Sequence, residues 1–232
     1  MRRLLLFDID GTLLSTNGAA KRAFHRALLA VYGSAGPIAT HPFDGKTDPQ
    51  IARELLEAAG FARGVIDRGF EALWKCYLRE LAVELARPGH VTTLLPGVRP
   101  LLAALGQRSD SVLQGLLTGN IEQGAGLKLR SVGLDGHFRT GAYGSDHERR
   151  DQLAAIAIER ATALTGRTYT GRDVVIIGDT PFDMTCGAAL GVRAVGVATG
   201  RYGANELRAA GAAAVLDDLS DTTSALDALL GD

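Results

Sequence analysis

The stretch LLLFDIDGTLL, residues 4–14, places two aspartates directly after an apolar run near the start of a 232-residue chain. Residues 4–7 predict a buried strand, because an unbroken apolar run suits a strand that is covered on both faces. An unpaired carboxylate is costly in such surroundings. Asp8 and Asp10 therefore indicate a functional site at the end of this strand, and Gly11 permits a sharp turn after them.

Further apolar runs with the same character predict the rest of a sheet, at residues 111–120, 173–179, 192–200 and 213–218. Helical patterns separate several of them, at residues 151–164, 181–190 and 204–210. Strands that alternate with helices and are apolar on both faces are typical of a parallel sheet between two helical layers. The sequence therefore predicts an α/β fold with a Rossmann-like parallel sheet.

Residues 16–91 interrupt this alternation. They contain no clear strand pattern and at least three amphipathic helical patterns. One of these repeats apolar residues at steps of three and four, at Phe70, Leu73, Trp74, Tyr77, Leu78, Leu81 and Leu85. This stripe predicts helix packing, and we interpret Trp74 as part of a core. The expected organisation is a core of residues 1–15 and 92–232 with an all-helical cap, residues 16–91, inserted after the first strand.

The composition limits the partners of the chain. A net charge of −1 gives no support to a general binder of nucleic acid or of anionic membranes. No run approaches the ~18 apolar residues that a membrane span needs, and the aspartates break the first apolar run too early for a signal peptide. Cys76 and Cys186 form no paired motif. We expect a cytoplasmic protein, monomeric or homodimeric, that acts on a small molecule.

Polar residues that follow the predicted strands indicate a metal site. Ligands of an open α/β sheet bind beyond the carboxyl ends of its strands, where Thr118, Gly119 and Asn120 end one run and Asp179, Thr180 and Asp183 end another. Convergent carboxylates repel each other unless a cation lies among them, and all-oxygen ligands favour Mg²⁺. The candidate metal ligands are Asp8, Asp10, Asp179 and Asp183. Asp179 has a second interpretation as the N-cap of a helix that contains Pro181.

These motifs resemble those of the haloacid dehalogenase-like (HAD) superfamily, in particular its magnesium-dependent phosphatases of the phosphoglycolate-phosphatase type. The first family motif, DxDGT, stands at residues 8–12, and the second, a Thr at a strand end, is Thr118 in LLTGN. The fourth, an acidic pair, is Asp179 and Asp183 in GDTPFD. The helical insertion stands where members of the family carry a cap.

The resemblance implies a function for each motif. Asp8 would take the phosphoryl group as an aspartyl-phosphate, and Asp10 would protonate the leaving alcohol and then activate water. Phosphate oxygens would be held by Gly11, Thr12, Thr118, Gly119 and Asn120. The implied activity is the Mg²⁺-dependent hydrolysis of a small phosphorylated metabolite, such as phosphoglycolate or a sugar phosphate.

The third family motif, a Lys or Arg, has no clear counterpart. The resemblance favours Lys128, on the predicted helix after the second motif, as a catalytic and phosphate-binding residue, with Arg149 and Arg150 as alternatives. In the cap, the segment FDGKTDPQ at residues 43–50 predicts a helix start at Thr47 or Asp48. Lys46, just before it, is a candidate substrate contact when the cap closes.

Three other functions remain compatible with the resemblance. A phosphomutase of the β-phosphoglucomutase type shares the fold and the nucleophile. A metal-free haloacid dehalogenase and a catalytically inactive binding relative are less consistent with the sequence. The former generally lacks the second aspartate of the first motif, and the latter would show erosion of the charged set, whereas Asp8 and Asp10 are both present.

Overall fold

A computed structural model describes residues 3–231, so positions 1, 2 and 232 of the predicted core lie outside the described residues. The strands are β1 (Arg3–Phe7), β2 (Leu14–Ser15), β3 (Thr93–Leu94), β4 (Val112–Thr118), β5 (Gly141–Tyr143), β6 (Val174–Gly178), β7 (Arg193–Val197) and β8 (Ala214–Leu216). The helices are α1 (Ala19–Tyr32), α2 (Asp48–Ala58), α3 (Arg63–Leu85), α4 (Val98–Gly106), α5 (Glu122–Arg130), α6 (Leu153–Thr165), α7 (Pro181–Thr185), α8 (Ala204–Ala209) and α9 (Thr222–Leu230).

Six of these strands form one parallel sheet in the order β5-β4-β1-β6-β7-β8. The first strand lies between β4 and β6, so the residues that follow these three strands meet at one edge of the sheet. This arrangement confirms the predicted α/β fold.

The sheet is buried on both faces, as the unbroken apolar runs predict. In β1, Leu5 and Phe7 pack into a core with α4, α5 and α9, whereas Leu4 and Leu6 pack into a second core with α6. All four side chains have no exposed surface. Because each face of the sheet carries its own apolar layer, the strand ends are held rigidly relative to one another.

The insertion after β1 consists of helices α1, α2 and α3 around a separate core. Its largest buried members include Phe24 and Tyr77, whose ring centroids lie 5.2 Å apart. Trp74 is partly buried against Phe24 and Phe70, which confirms its interpretation as a packing residue. The antiparallel pair β2–β3 joins the two points at which the chain leaves and re-enters the sheet domain.

Some elements differ from the predicted ones. The three-residue strand β5 carries no apolar run and was missed, as were the two-residue strands β2 and β3. The helix expected over 181–190 ends at residue 185 and is followed by a separate 3-10 turn. Within residues 3–231, no helix has the length and apolar character needed to cross a membrane.

Candidate active site

The two aspartates of the first motif lie at the carboxyl end of β1, on the wall of one cavity. The backbone N–H of Asp8 donates to Ile177 O at 2.8 Å, which extends the β1–β6 pairing by one residue. Gly11 turns the chain with a φ of 81°, and a Cβ there would lie 2.3 Å from Asp179 Oδ2. The turn that follows the first motif therefore requires glycine, both for its conformation and for its approach to Asp179.

Three of the four predicted metal ligands converge. Asp8, Asp179 and Asp183 are buried, and one carboxylate oxygen from each lies within 4.8 Å of the other two. The side chain of Asp10 does not join this group, because both of its oxygens accept hydrogen bonds from Lys128 Nζ, at 2.8 and 2.7 Å. The structure therefore gives three candidate carboxylate ligands in place of the four predicted ones.

The alternative interpretation of Asp179 as a helix N-cap is wrong. The N-cap of α7 is Thr180, whose hydroxyl accepts from the backbone N–H of Asp183, while Asp183 Oδ2 accepts from the backbone N–H of Thr180 at 3.0 Å. Asp179 instead accepts a hydrogen bond from Thr12 Oγ1 at 3.1 Å. Asp183 thus anchors α7, and Asp179 retains an oxygen without a side-chain donor among the described residues.

The electrostatics of this group fit a cation. Burial raises the pKa of Asp8 to about 6, despite the opposing charge of Arg150. Burial also raises the pKa of Asp179 to about 8, with further contributions from Asp183 and Asp8. One arginine faces three carboxylates, so a negative charge remains uncompensated. A divalent cation offsets such a charge and favours the ionised carboxylates, and the all-oxygen donor set suits Mg²⁺.

Arg150 is the cation in contact with Asp8. It lies in a 3-10 turn before α6, only 6% of its surface is exposed, and its Nη2 stands 3.1 Å from Asp8 Oδ1. The same nitrogen donates to Asp183 Oδ1. Burial acts to lower the pKa of Arg150, but the charges of Asp183 and Asp8 raise it above its ordinary value. Arg149 is exposed and pairs with Asp151.

Lys128, which the sequence favours over Arg149 and Arg150, contacts the other aspartate. Its Nζ lies within 2.8 Å of both Asp10 oxygens and 2.6 Å from Asn120 Oδ1, and only 3% of the residue is exposed. Asn120 Nδ2 in turn donates to Asp10 Oδ2 at 2.8 Å. The site thus contains two buried cations, with Arg150 at Asp8 and Lys128 at Asp10.

Most of the predicted phosphate ligands line the cavity. Thr118 is fully buried at the end of β4, and its hydroxyl accepts from Asn120 Nδ2 at 2.8 Å. Gly11, Gly119 and Asn120 lie beside it on the cavity wall. Thr12 is an exception, since its buried hydroxyl donates to Asp179 and the residue does not line the cavity. We therefore assign Thr12 to the support of Asp179.

The cavity, of about 350 Å³, lies between the strand ends and the cap. From the cap it is lined by Thr16, Gly18, Ala20, Lys21, Phe24, Phe43, Asp44, Gly45, Lys46, Asp48, Ile51 and Tyr77. Lys46, the candidate substrate contact of the cap, lines the cavity, and its Nζ pairs with Glu54 Oε2 at 2.5 Å. Arg201 lines the cavity from the loop after β7 and lies 3.5 Å from Asp44.

The start of α2 fastens the cap to the sheet domain. The backbone N–H of Asp48 donates to Gly119 O at 2.7 Å, and Asp48 Oδ2 accepts from the backbone N–H of Ile121 at 2.9 Å. The Thr47 hydroxyl caps α2, as the sequence predicts, and also donates to Glu148 O at 2.6 Å. Burial raises the pKa of Asp48 to about 6. These bonds hold the cap over the cavity.

Sequence reasoning missed Asp48 and Tyr77 as residues of the cavity. The spacing of Tyr77 within an apolar stripe predicts a core residue. The position of Asp48 before Pro49 predicts the start of a helix. Each interpretation is correct for the local structure. What no sequence pattern shows is that α3 and the start of α2 also face the strand ends of the other domain.

Known proteins are similar to this chain in sequence and in fold. A model of the haloacid dehalogenase-like hydrolase family matches residues 5–197. The phosphoglycolate phosphatase of Pseudomonas putida is 27% identical over 220 residues, which cover 94% of this chain and 77% of that protein.

Two solved structures show the same fold. A hydrolase from Pseudomonas syringae superposes with a TM-score of 0.73 at 21% identity and covers 98% of both chains. A protein of Bacteroides vulgatus with a provisional β-phosphoglucomutase designation superposes with a TM-score of 0.70 at 16% identity. The superposition covers 99% of this chain and 89% of the Bacteroides chain. The family match spans most of the chain, and the chain belongs to the haloacid dehalogenase-like hydrolase family.

Proposed function

We propose that this protein hydrolyses a small phosphomonoester in a Mg²⁺-dependent reaction that passes through an aspartyl-phosphate on Asp8. The observation that carries the proposal is the position of Asp8. Its buried carboxylate ends the central strand, contacts Arg150, converges with Asp179 and opens on the cavity. The similarity to a phosphoglycolate phosphatase supports the same class of reaction.

In the first step, a carboxylate oxygen of Asp8 forms a bond to phosphorus while the bond from phosphorus to the ester oxygen breaks. Asp10 donates a proton to the departing alkoxide. Lys128 and Asn120 hold the carboxyl of Asp10 at a fixed position beside the cavity. In the second step, Asp10 takes a proton from water, the water oxygen attacks phosphorus, and the bond to Asp8 breaks, which releases inorganic phosphate.

The transferred group carries charge on its equatorial oxygens, and most of the catalysis of such reactions is electrostatic. The Thr118 hydroxyl and the backbone of Gly119 and Asn120 would hold these oxygens, and Arg150 would face them from the side of Asp8. Asp8 and Asp179 would hold Mg²⁺, with Asp183 beside them. The cation, when bound, supplies positive charge that offsets the charge of the phosphoryl group.

The cap limits the size of the substrate. A cavity of about 350 Å³ admits a metabolite but no folded protein. The contacts of Asp48 and Thr47 with the sheet domain hold the cap over the cavity, and a cap in this position reduces the access of bulk water to the reaction. Phosphomonoesters of small alcohols therefore fit the site best.

The proposal is tested by hydrolysis of p-nitrophenyl phosphate with Mg²⁺. Asp8→Asn removes the nucleophile and should lower kcat by about 10³-fold or more, and chelation of the metal should abolish turnover. The exposed Asp110 serves as a control, since it precedes β4 at the opposite end of the strand from Thr118 and does not line the cavity. Unchanged hydrolysis by Asp8→Asn would contradict the proposal. Conversion of a sugar 1-phosphate to its isomer without release of phosphate would indicate a phosphomutase instead.

A further inference from the structure

Tyr77 is a buried polar residue of the cavity to which the proposed reaction assigns no task. It lies in the middle of α3, lines the cavity and is 1% exposed. Its hydroxyl forms no hydrogen bond with any residue in the described range 3–231. Unlike the hydroxyl of Tyr169, this hydroxyl is not fully enclosed, because Tyr77 lines the cavity. A bound ligand with an oxygen at this place would give it a hydrogen-bond partner.

The ring of Tyr77 is held in place on two sides. The ring of Phe24 meets it edge-on, with centroids 5.2 Å apart and an interplanar angle of 73°. On another side lies α5, where a Cβ added to Gly124 would be in van der Waals contact with Tyr77 Cε1 at 3.5 Å. A ring packed in this way presents its hydroxyl in a fixed direction, which is a property of a binding residue that discriminates between ligands.

The acidic groups near Tyr77 are Asp48 and Asp10, and Lys128 lies beside them. Burial and the charges of Asp48 and Asp10 raise its pKa well above the ordinary value, so the hydroxyl stays protonated and can donate. Asp48 lines the same cavity, and of its two carboxylate oxygens only Oδ2 accepts a hydrogen bond from a described residue, the N–H of Ile121. The cavity therefore contains an unpaired donor on Tyr77 and an unpaired acceptor on Asp48.

We infer that Tyr77 and Asp48 form a subsite for a hydroxyl group on the leaving alcohol, so that the substrate is a phosphorylated polyol or sugar. The inference rests on the proposed function and names its substrate class. A hydroxyl can accept from Tyr77 and donate to Asp48 at the same time. A carboxylate would meet the charges of Asp48 and Asp10, and an alkyl group would leave both protein groups unpaired.

The cations near the cavity support a neutral group at this place. Lys128 is already engaged by Asp10 and Asn120, and Lys46 by Glu54. Lys21 lies over the ring of Phe43, 5.0 Å from its centroid, and is exposed at the cap side of the cavity. Arg201, which also lines the cavity, pairs with Asp44. Among the described cations of the cavity wall, Lys21 is therefore the one without a carboxylate partner, and its Nζ lies instead 3.4 Å from Ala39 O and over the ring of Phe43.

Three phosphomonoesters of similar size test the inference: sn-glycerol 3-phosphate, n-propyl phosphate and phosphoglycolate. The wild-type protein with Mg²⁺ should prefer glycerol phosphate to propyl phosphate in kcat/KM. Tyr77→Phe should reduce this preference by about tenfold, the loss expected for one hydrogen bond to substrate. Asp48→Asn, which keeps an oxygen for Ile121, should reduce it in the same direction.

Tyr169 provides the matched control. It is also 1% exposed, and its enclosed hydroxyl also lacks a partner, but it lies in the core against α6 and does not line the cavity. Tyr169→Phe should keep the wild-type preference. An equal effect of Tyr77→Phe on glycerol phosphate and propyl phosphate would overturn the inference, as would a wild-type preference for phosphoglycolate that does not depend on Tyr77.

Binding measurements separate this inference from the proposed function. The Kd of glycerol 3-phosphate and of propyl phosphate can be measured by calorimetry on Asp8→Asn, with and without Tyr77→Phe. A preference for glycerol phosphate that Tyr77→Phe removes would uphold the subsite even if the wild-type protein hydrolysed neither ester. Equal affinity of Asp8→Asn for the two esters would overturn the subsite, whatever the rate of hydrolysis.

Discussion

The two aspartates of the first motif each have their own buried cation, and this arrangement gives them different chemical properties. Arg150 stands at Asp8, where its fixed charge favours the ionised form that a nucleophile needs. Lys128 and Asn120 surround Asp10 and determine where its carboxyl points. Two neighbouring carboxylates with distinct partners are well suited to the separate tasks of nucleophile and acid–base group.

This division predicts different kinetic effects of the two cations. Lys128→Ala disturbs the proton donor, so it should lower kcat/KM by about 10²-fold for an alkyl phosphate and much less for p-nitrophenyl phosphate, whose leaving group needs little protonation. Arg150→Met removes charge from the nucleophile and should lower kcat/KM for both esters alike. The measurement is the ratio of kcat/KM values for the two esters in each variant.

Arg149→Met is the control for this comparison, because Arg149 is the exposed neighbour of Arg150 and pairs with Asp151. It should keep wild-type kinetics. The assignment of Lys128 to Asp10 would be contradicted if Lys128→Ala and Arg150→Met changed the two esters in the same proportion.

At the scale of single residues, the sequence indicated most of the site but not its pairings. Asp8 and Asp179 follow apolar strands and Thr118 ends one, and the apolar pattern of a strand predicts where the strand ends. Arg150 lies in a 3-10 turn with no periodic pattern, beside a second arginine that faces solvent. Which of two adjacent arginines turns inward depends on contacts with Asp8 and Asp183, which are distant in the sequence.

Among the elements, the start of α2 has a special position because it joins the cap to the loop after β4. The carbonyl oxygen of Lys46 passes so close to Gly119 that a Cβ there would lie 2.1 Å from it. A Cβ on Gly119 and the carbonyl oxygen of Lys46 would overlap at this distance, so one of the two backbone segments must move. A side chain on Gly119 must therefore push the cap away from the phosphate-binding loop.

Gly119→Ala should lower the free energy of unfolding by about 1–3 kcal/mol and raise KM, since the cap closes less well over the cavity. The measurements are denaturant unfolding and steady-state kinetics. Gly106→Ala is the control, because Gly106 ends α4 with no atom near the added Cβ. If Gly119→Ala had the stability and KM of Gly106→Ala, the cap would not rest on Gly119 as described.

A second prediction at this scale concerns pH. The pKa of Asp48 is raised from 3.8 to about 6 by burial, so the folded protein binds this proton more tightly than the unfolded chain does. Stability from this group is therefore present at low pH and is lost as pH rises from about 4 to about 6. The Asp48→Asn variant has no titrating group at this position and does not lose this stability. As pH rises from about 4 to about 6, the free energy of unfolding of the variant should therefore increase relative to that of wild type, by at most about 3 kcal/mol.

The comparison of wild type with Asp48→Asn by thermal unfolding at both ends of this pH range isolates the effect, since all other titrating groups are shared. A constant difference in Tm between the two proteins across the range would show that Asp48 is not buried at the junction of cap and sheet.

The elements with strong patterns were predicted and the weak ones were not. Thr47 and Pro49 start α2 as their residue types indicate, and the apolar runs give β1, β4, β6 and β7. The strand β5 is three residues long and depends on pairing with β4 for its conformation. Its own residues form no pattern that predicts a strand. The second interpretation of Asp179, as the N-cap of α7, is wrong, because the next residue, Thr180, has the capping geometry.

The whole molecule consists of a sheet with an apolar layer on each face and a cap with a core of its own. The division follows from the sequence, because the helical insertion interrupts an otherwise regular alternation. The position of the cap on the sheet domain cannot be predicted from the sequence, because it depends on contacts between distant residues. One example is the hydrogen bond from Arg53 Nε to Glu148 Oε1 at 2.7 Å, between residues 95 positions apart. The cavity exists only where these two units meet.

At this scale the metal site should stabilise the entire fold. Binding of Mg²⁺ among Asp8, Asp179 and Asp183 relieves charge that is buried only in the folded state. At a free Mg²⁺ concentration of 100 times its Kd, the bound ion should raise the Tm of the protein by about 5–10 °C. Asp179→Asn should lose most of this shift, whereas Asp110→Asn should retain it. A Tm that does not respond to Mg²⁺ in the wild-type protein would contradict a magnesium site.

The central claim is that Asp8 accepts the phosphoryl group. Asp10→Asn should retain attack on p-nitrophenyl phosphate, a substrate with a good leaving group, and should slow the release of phosphate from the enzyme. Mass spectrometry of this variant after an acid quench should show the mass of one phosphoryl group on the peptide that contains Asp8. A phosphoryl group on any other residue, or an unmodified enzyme that still releases p-nitrophenol in a burst, would contradict the account.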